Sequence, residues 1–201
     1  ESKGRITVQG LADAVWEEAD AGNYALRSIG SDKLLGLHIK RCTTGAVVFV
    51  DEGVCLKEPI TITYETDGLF TPHTSITAAP GAKAHVIERH ITKGAGVMFC
   101  TRDINAAEGA ELKVELHEEG GGESRAMNIT CLIAASAKVR HLTTHSGHAW
   151  AREETIASIE YSDTDVQLYS ANRLDGGQIL DQHTRQLHTW GEACSDLLYK
   201  N

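Results

Sequence analysis

The chain is 201 residues long, enough for one domain with a substantial core, and only 5 % of it is aromatic. Its formal net charge of −9 excludes a nucleic-acid surface, which needs clustered Lys and Arg to neutralise phosphates. No apolar run approaches the roughly 20 residues of a membrane span and no secretory leader is read, so a cytoplasmic protein is expected.

Residues 1–45 read as a mixed N-terminal cap. Ile6 to Gly10 suits a short strand, Leu11 to Ala19 has helical spacing with Leu11, Val15 and Trp16 one turn apart, and Leu34 to Ile39 is a further apolar segment. The chain opens on Glu1 without a methionine, which predicts a natural start farther upstream. From Ala46 onward strands dominate. They are expected over Val47 to Val50, Val54 to Tyr64 with Pro59 at a corner, Ser75 to Ala79, Ala82 to Arg89, Gly96 to Thr101, Leu112 to Leu116, Ala126 to Ala135 and Val139 to Thr143. The last four are Thr155 to Tyr161, Val166 to Ala171, Gly177 to Gln182 and Arg185 to Trp190. Gly120-Gly121-Gly122 is a corner loop, since it has neither phosphate-binding glycine spacing nor a following helix.

These strands repeat. Small-residue corners recur at Gly53, Gly81, Gly109, Ser136, Thr164 and Gly191, at intervals of 28, 28, 27, 28 and 27 residues. Ile76, Ile104 and Ile159 lie five residues before their corners and Leu187 four before its own; Leu56, Ala84, Leu112 and Val139 lie three after theirs. A strand-only unit of this length cannot bury its inner face alone, whereas stacked copies share one core. The expected fold is all-β: a single-stranded parallel β-helix over residues 46–201, with coils of 27 or 28 residues, two or three short strands per coil, and about 4.8 Å between coils.

Five cysteines without paired spacing point to a reducing compartment. Cys131 falls in the slot of Ile76, Ile104 and Ile159, and Cys194 in that of Leu56, Leu112 and Val139, so both are expected as small core residues. The pattern leaves Cys42, Cys55 and Cys100 undecided. Among the ten histidines, the register singles out a row nine residues past the corners: Ile62, His90, Glu118, His145, Arg173 and Lys200. Two histidines and a carboxylate, His90, Glu118 and His145, suit iron or zinc. The competing reading is a polar surface ladder. It is favoured because Arg173 one coil above would repel a cation, so no resident metal and no catalytic residue is assigned. His141, His145 and His148 are not expected to converge, and Glu118-Glu119 and Glu153-Glu154 read as solvated corners.

The chain resembles the SufB/SufD scaffold family of iron–sulfur cluster assembly from about Gly45 to Asn201. The resemblance rests on Val48-Phe49-Val50-Asp51-Glu52-Gly53-Val54-Cys55-Leu56-Lys57-Glu58-Pro59-Ile60 and Gly81-Ala82-Lys83-Ala84-His85-Val86-Ile87-Glu88. It also rests on Asp181-Gln182-His183-Thr184-Arg185-Gln186-Leu187-His188 with Cys194-Ser195-Asp196-Leu197-Leu198-Tyr199-Lys200. It implies a right-handed β-helix that pairs with a SufB/SufD-type subunit as a homo- or heterodimer, and a SufC-type ABC ATPase as partner. It also implies a transient iron–sulfur cluster in the full complex, with no cofactor on this chain. His90 stands where the SufB pattern carries a cysteine, and Glu118 and Gly120 fall near its glutamine and tryptophan. The sulfur-path residues of SufB therefore do not carry over, and the chain is closer to SufD or a short archaeal-type relative. The family's cluster-site cysteine and histidine and its ATPase-binding helices are expected beyond Asn201. The implied function is a non-catalytic scaffold subunit; the alternatives are a mononuclear metal protein or a carbohydrate-active β-helix, the latter poorly served by so few aromatics.

Overall fold

Alternation of branched or small side chains with polar ones gives a strand two faces, and here one face meets the same face of the next coil. The computed structural model describes residues 6–10, 38, 41, 42 and 44–201. The strands are β1 (Ile6–Gly10), β2 (Gly45–Val50), β3 (Ile60–Thr66), β4 (Leu69–Phe70), β5 (His73–Ala78), β6 (Lys83–Thr92), β7 (Val97–Ala106) and β8 (Glu111–Gly120). They continue with β9 (Arg125–Ala135), β10 (Lys138–Ser146), β11 (Trp150–Glu160), β12 (Asp165–Arg173), β13 (Ile179–His188) and β14 (Cys194–Lys200). The run β1-β2-β5-β7-β9-β11-β13, with β4 beside β7, forms one sheet, and β3-β6-β8-β10-β12-β14 forms the other.

All pairings are parallel except β1 with β2, where Ile6 meets Val50 in an antiparallel pair along the sheet's first edge. The chain thus winds as a parallel β-solenoid of about six coils, each contributing one strand to each sheet. The expected helix over Leu11 to Ala19 lies outside the described residues. Strands are longer than expected, reaching 10 or 11 residues in β6 to β9, because each coil has two corners and not three. No helix among the described residues is long and apolar enough to cross a membrane.

The predicted corners stack. Gly53, Gly81 and Gly109 have φ of 69°, 67° and 70°, and the Gly53, Gly81 and Gly109 amides donate to Pro80, Glu108 and Ser136 carbonyls one coil on. A Cβ on Gly109 would lie 3.7 Å from Gly81 Cα, an ordinary contact, so it is the left-handed backbone and not lack of space that favours glycine here. Ser136 continues the series at φ 48°. The two later positions do not. The left-handed residues are Asp163 and Glu192 in place of Thr164 and Gly191. Lys138 pairs with Asp165, 27 residues on, and Asp165 with Cys194, 29 residues on, which moves each corner by one.

Between the sheets, one half of the interior is apolar. Val48, Ile76, Ile104, Leu132 and Ala157 stack in the first sheet; Ala84, Leu112, Val139 and Val166 stack in the second, and all are buried. Leu132, not Cys131, fills the slot shared with Ile76 and Ile104, because β7 to β9 advances by 28 residues and not 27, while Ile159 sits beside Ala134, because β9 to β11 advances by 25, Arg125 opposite Trp150. Cys194 is exposed beside Asp165, contrary to the core assignment, and Leu187 is exposed on β13. Cys131 is buried, but on the outer face, in a second cluster with Phe99, Met127 and Ile129. That cluster buries both faces of β7 and β9. His38 packs edge-on against Phe99, ring centroids 4.7 Å apart, and its Nε2 lies 3.0 Å from the Pro72 carbonyl.

The same outer face holds Asp103, whose carboxylate is 3.7 Å from His73 Nε2. Burial pushes the Asp103 carboxyl up to about 7 and the His73 imidazole down to about 4, so between those values both are neutral and the contact is not an ion pair. Two outcomes follow from this packing. Ile104→Ala, at a fully buried site, should cost about 2–5 kcal/mol in urea unfolding; a loss below about 1 kcal/mol would mean that the core closes over the gap. Asp103 ionises near 3.8 when unfolded, so its folded form keeps a proton that the unfolded chain has lost, and its contribution falls as pH rises from about 4 to about 7. The stability difference of Asp103→Asn over the parent should therefore grow across that window and plateau above it, at a rate of about 1.4 kcal/mol per pKa unit. A difference flat from pH 4 to pH 8 would place the carboxyl at its ordinary value.

Candidate functional site

The other half of the interior is polar, and the residues of the sequence row supply it. His90 pairs with Glu118 and Glu118 with His145, as the spacing predicts. The row begins at Tyr64 and continues to Asn172, not Ile62 and Arg173; Arg173 is exposed and reaches Asp175. It also points inward. His90, Glu118 and His145 are 0 %, 1 % and 2 % exposed, so the surface-ladder expectation is wrong. The reason is parity: Leu112, Val114 and Leu116 face the core on β8, and Glu118 is the next residue of that face.

A second column faces the first across the interior. Cys100, Asn128, Glu153 and Gln182 pair in sequence on β7, β9, β11 and β13. Each coil thus places a polar residue of one sheet opposite one of the other. Asn128 Nδ2 donates to Glu118 Oε1 at 2.9 Å, and Asn172 Nδ2 to Gln182 Oε1 at 3.0 Å. His145 Nε2 hydrogen-bonds Glu153 Oε2 at 2.6 Å, and Gln182 Nε2 donates to the same oxygen at 3.0 Å. Glu118 and Glu153 are therefore buried, and only their neighbours Glu119 and Glu154 reach outward.

The most charged part of this interior surrounds Glu88. Arg102 grips it with two hydrogen bonds, Nε to Oε2 and Nη2 to Oε1, both 2.8 Å, while Nη1 donates to Thr130 at 2.9 Å. His90 Nε2 lies 2.6 Å from Glu88 Oε1 and Cys100 Sγ donates to the same oxygen at 3.5 Å. The other ring nitrogen of His90, Nδ1, rests against Glu118 Oε1. His148 Nε2 approaches Glu118 Oε2 at 3.4 Å, and His148 Nδ1 pairs with Ser124 Oγ at 2.9 Å. All of Glu88, His90, Arg102 and Glu118 are fully buried.

Burial opposes every charge here, and the pairings decide the outcome. For Glu88, Arg102 and His90 outweigh desolvation and hold the carboxyl below its usual range. For Glu118, His90 and His148 do the same. Desolvation works against the His90 imidazolium, but Glu118 keeps it well above the ordinary histidine value. For Cys100 the balance goes the other way: burial, then the Glu88 charge, outweigh His90 and Arg102 and push its thiol up, so it remains protonated. His141 is buried and pushed down to about 4 by desolvation, with Nδ1 3.4 Å from the Val114 carbonyl.

The three row residues proposed as ligands therefore do not converge on one point. His145 turns to Glu153, and His141, His145 and His148 each take a different partner, as expected. Sequence reading missed Glu88, Cys100, Arg102, Asn128, Glu153 and Gln182. A signal for the facing column was present. Tyr64 and Thr74, His90 and Cys100, Glu118 and Asn128, and Asn172 and Gln182 are each ten residues apart, the chain length needed to turn one corner and return.

The family described as SUF system FeS cluster assembly, SufBD core domain, matches residues 61–201. No curated protein matches the chain.

Removing one member of the charged interior should be costly. Arg102→Met takes the two guanidinium hydrogen bonds from the buried Glu88 carboxylate and should lose about 3–5 kcal/mol in denaturant unfolding. An Arg102→Met, Glu88→Gln double variant should recover part of that loss. If the double variant is less stable than Arg102→Met alone, the pair is not the source of the effect.

Proposed function

Since the chain belongs to the SufBD core family of the SUF iron–sulfur cluster assembly system, we propose that it is a non-catalytic scaffold subunit of a SufBCD-like complex. The observation that carries this reading is the extent of the match: residues 61–201 run from the second residue of β3 to the end of the chain, through every coil but the first. The partners are a SufC-type ABC ATPase, which supplies the hydrolysis, and a second SufB/SufD-type solenoid, the same or different. The cluster is cargo, assembled transiently in the complex.

Two features support a scaffold over an enzyme. The buried acids, bases and amides of the interior are engaged with one another, Glu88 with Arg102 and His145 with Glu153, which suits a frame more than an open reaction site. A stack of parallel coils is also stiff along its length, because β5 to β12 are each hydrogen-bonded to the coil on either side. A reducing cytoplasmic setting agrees with five free cysteines.

The test is co-expression of the natural full-length protein carrying this chain with its host's SufC-type ATPase and SufB/SufD-type subunit. A stable complex that accumulates a labile iron–sulfur cluster only when the ATPase hydrolyses ATP is the expected result. Recovery of an ATPase complex that excludes this protein and still builds clusters would overturn the reading.

A further inference from the structure

We infer that Glu88, His90 and Cys100 form a binding site for one thiophilic divalent transition-metal ion, Zn²⁺ or Fe²⁺, inside the solenoid. Their ligand atoms lie within 4.8 Å of one another and all three side chains are buried. A carboxylate oxygen, an imidazole nitrogen and a thiolate are a donor set suited to these metals. The sequence expectation of no resident metal rested on a row exposed at the surface and crowned by Arg173. The row is interior, and the convergent set is a different one.

The distances fit. Tetrahedral coordination at the usual bond lengths needs about 3.5 Å between sulfur and oxygen and about 3.3 Å between nitrogen and oxygen. Cys100 Sγ and Glu88 Oε1 are already 3.5 Å apart. His90 Nε2 and Glu88 Oε1, now bridged by a proton at 2.6 Å, need to separate by less than about 1 Å. Three protein donors leave a fourth position for water or a small exogenous ligand, the arrangement of open zinc sites.

The surroundings resemble those that orient metal ligands elsewhere. A ligating histidine usually gives its other ring N–H to a carboxylate, and His90 Nδ1 rests against Glu118. Asn128 in turn holds Glu118 at 2.9 Å. Glu118 is thus a positioning residue, one place removed from the ligand role suggested by the row. Arg102 binds both Glu88 oxygens and fixes the carboxylate plane, and Oε1 is the oxygen turned toward His90 and Cys100.

The guanidinium beside the site is the main force against a cation, and formal charge shows how it is met. With His90 as imidazolium and Cys100 as thiol, Glu88, Glu118, Arg102, His90 and Cys100 sum to zero. Entry of one divalent ion displaces the proton between His90 and Glu88 and the thiol proton of Cys100. Two protons leave, two positive charges enter, and the buried cluster stays neutral. No electron is transferred. This inference does not depend on the scaffold reading, since it involves no partner.

The experiment uses the purified protein, stripped with a chelator and titrated with Co²⁺ as the optical probe. One equivalent should bind with a thiolate-to-cobalt charge-transfer band, and Zn²⁺ should displace it. Cys100→Ser should lose the band and weaken binding at least tenfold. A Cys55→Ser, Cys194→Ser variant, altered only at the exposed cysteines, should keep both. X-ray absorption on the zinc-loaded parent needs no variant to fold and should show one sulfur at about 2.3 Å with nitrogen and oxygen at about 2.0 Å. Absence of saturable binding to the folded protein, loss of the band in the exposed-cysteine variant, or a sulfur count other than one would overturn the proposal.

Discussion

Among the described residues, every strand but β1 and its antiparallel neighbour β2 finds its backbone partners only in adjacent coils. Lys83 pairs with Glu111 and Glu111 with Lys138, and the inward faces of β6, β8 and β10 therefore coincide residue by residue. A slip of one residue would turn Leu112, Val114 and Leu116 out to solvent and bring Lys113 and Glu115 in. The coil length is set by that constraint, and the glycine corners at Gly53, Gly81 and Gly109 are where it is met at least cost, since glycine adopts the left-handed backbone without strain.

The same constraint divides the interior. Near the glycine corners the stacked positions are apolar. Toward the opposite corner they become a double column of histidine, carboxylate, amide and thiol. Burying charges is unfavourable unless each is paired and hydrogen-bonded, and here Arg102 lies on Glu88 while His90 lies between Glu88 and Glu118. Such a network adds little net stability over an apolar core of equal volume, but any one member left alone is expensive. It is better understood as a retained property of the interior than as glue for the fold.

For a member of an iron–sulfur assembly family, the two halves serve different ends. The apolar half and the backbone ladders make a frame that is stiff along its length. The polar half places Cys100, the one buried cysteine of the polar interior, beside a histidine and a carboxylate, the set proposed above to take a metal ion in place of two protons. The outer cluster of Phe99, Met127, Ile129 and Cys131 belongs to neither half; it buries the far face of β7 and β9, and its thiol is pushed up by burial.

Sequence by itself determined the parallel coil, its period and the stacking of His90, Glu118 and His145. These follow from local repetition: equal chain lengths return equal positions to the same sheet. It misplaced residues wherever a coil changed length: Cys131, counted from a 27-residue corner spacing, was assigned the slot of Leu132 although β9 follows β7 by 28, Ile159 was shifted by the 25-residue step from β9 to β11, and Thr164 and Gly191 were given the corners of Asp163 and Glu192. Which face the row occupied was legible from the parity of Leu112, Val114 and Leu116, but histidine and glutamate suggest solvent unless a partner is known. The partners belonged to tertiary structure. Cys100, Arg102 and Glu153 come from the other sheet, and whether they meet Glu88, His90 and His145 depends on how the coil closes at its second corner. Contacts across the interior are set by the packing of two sheets, and only the folded solenoid decides which buried charges face one another.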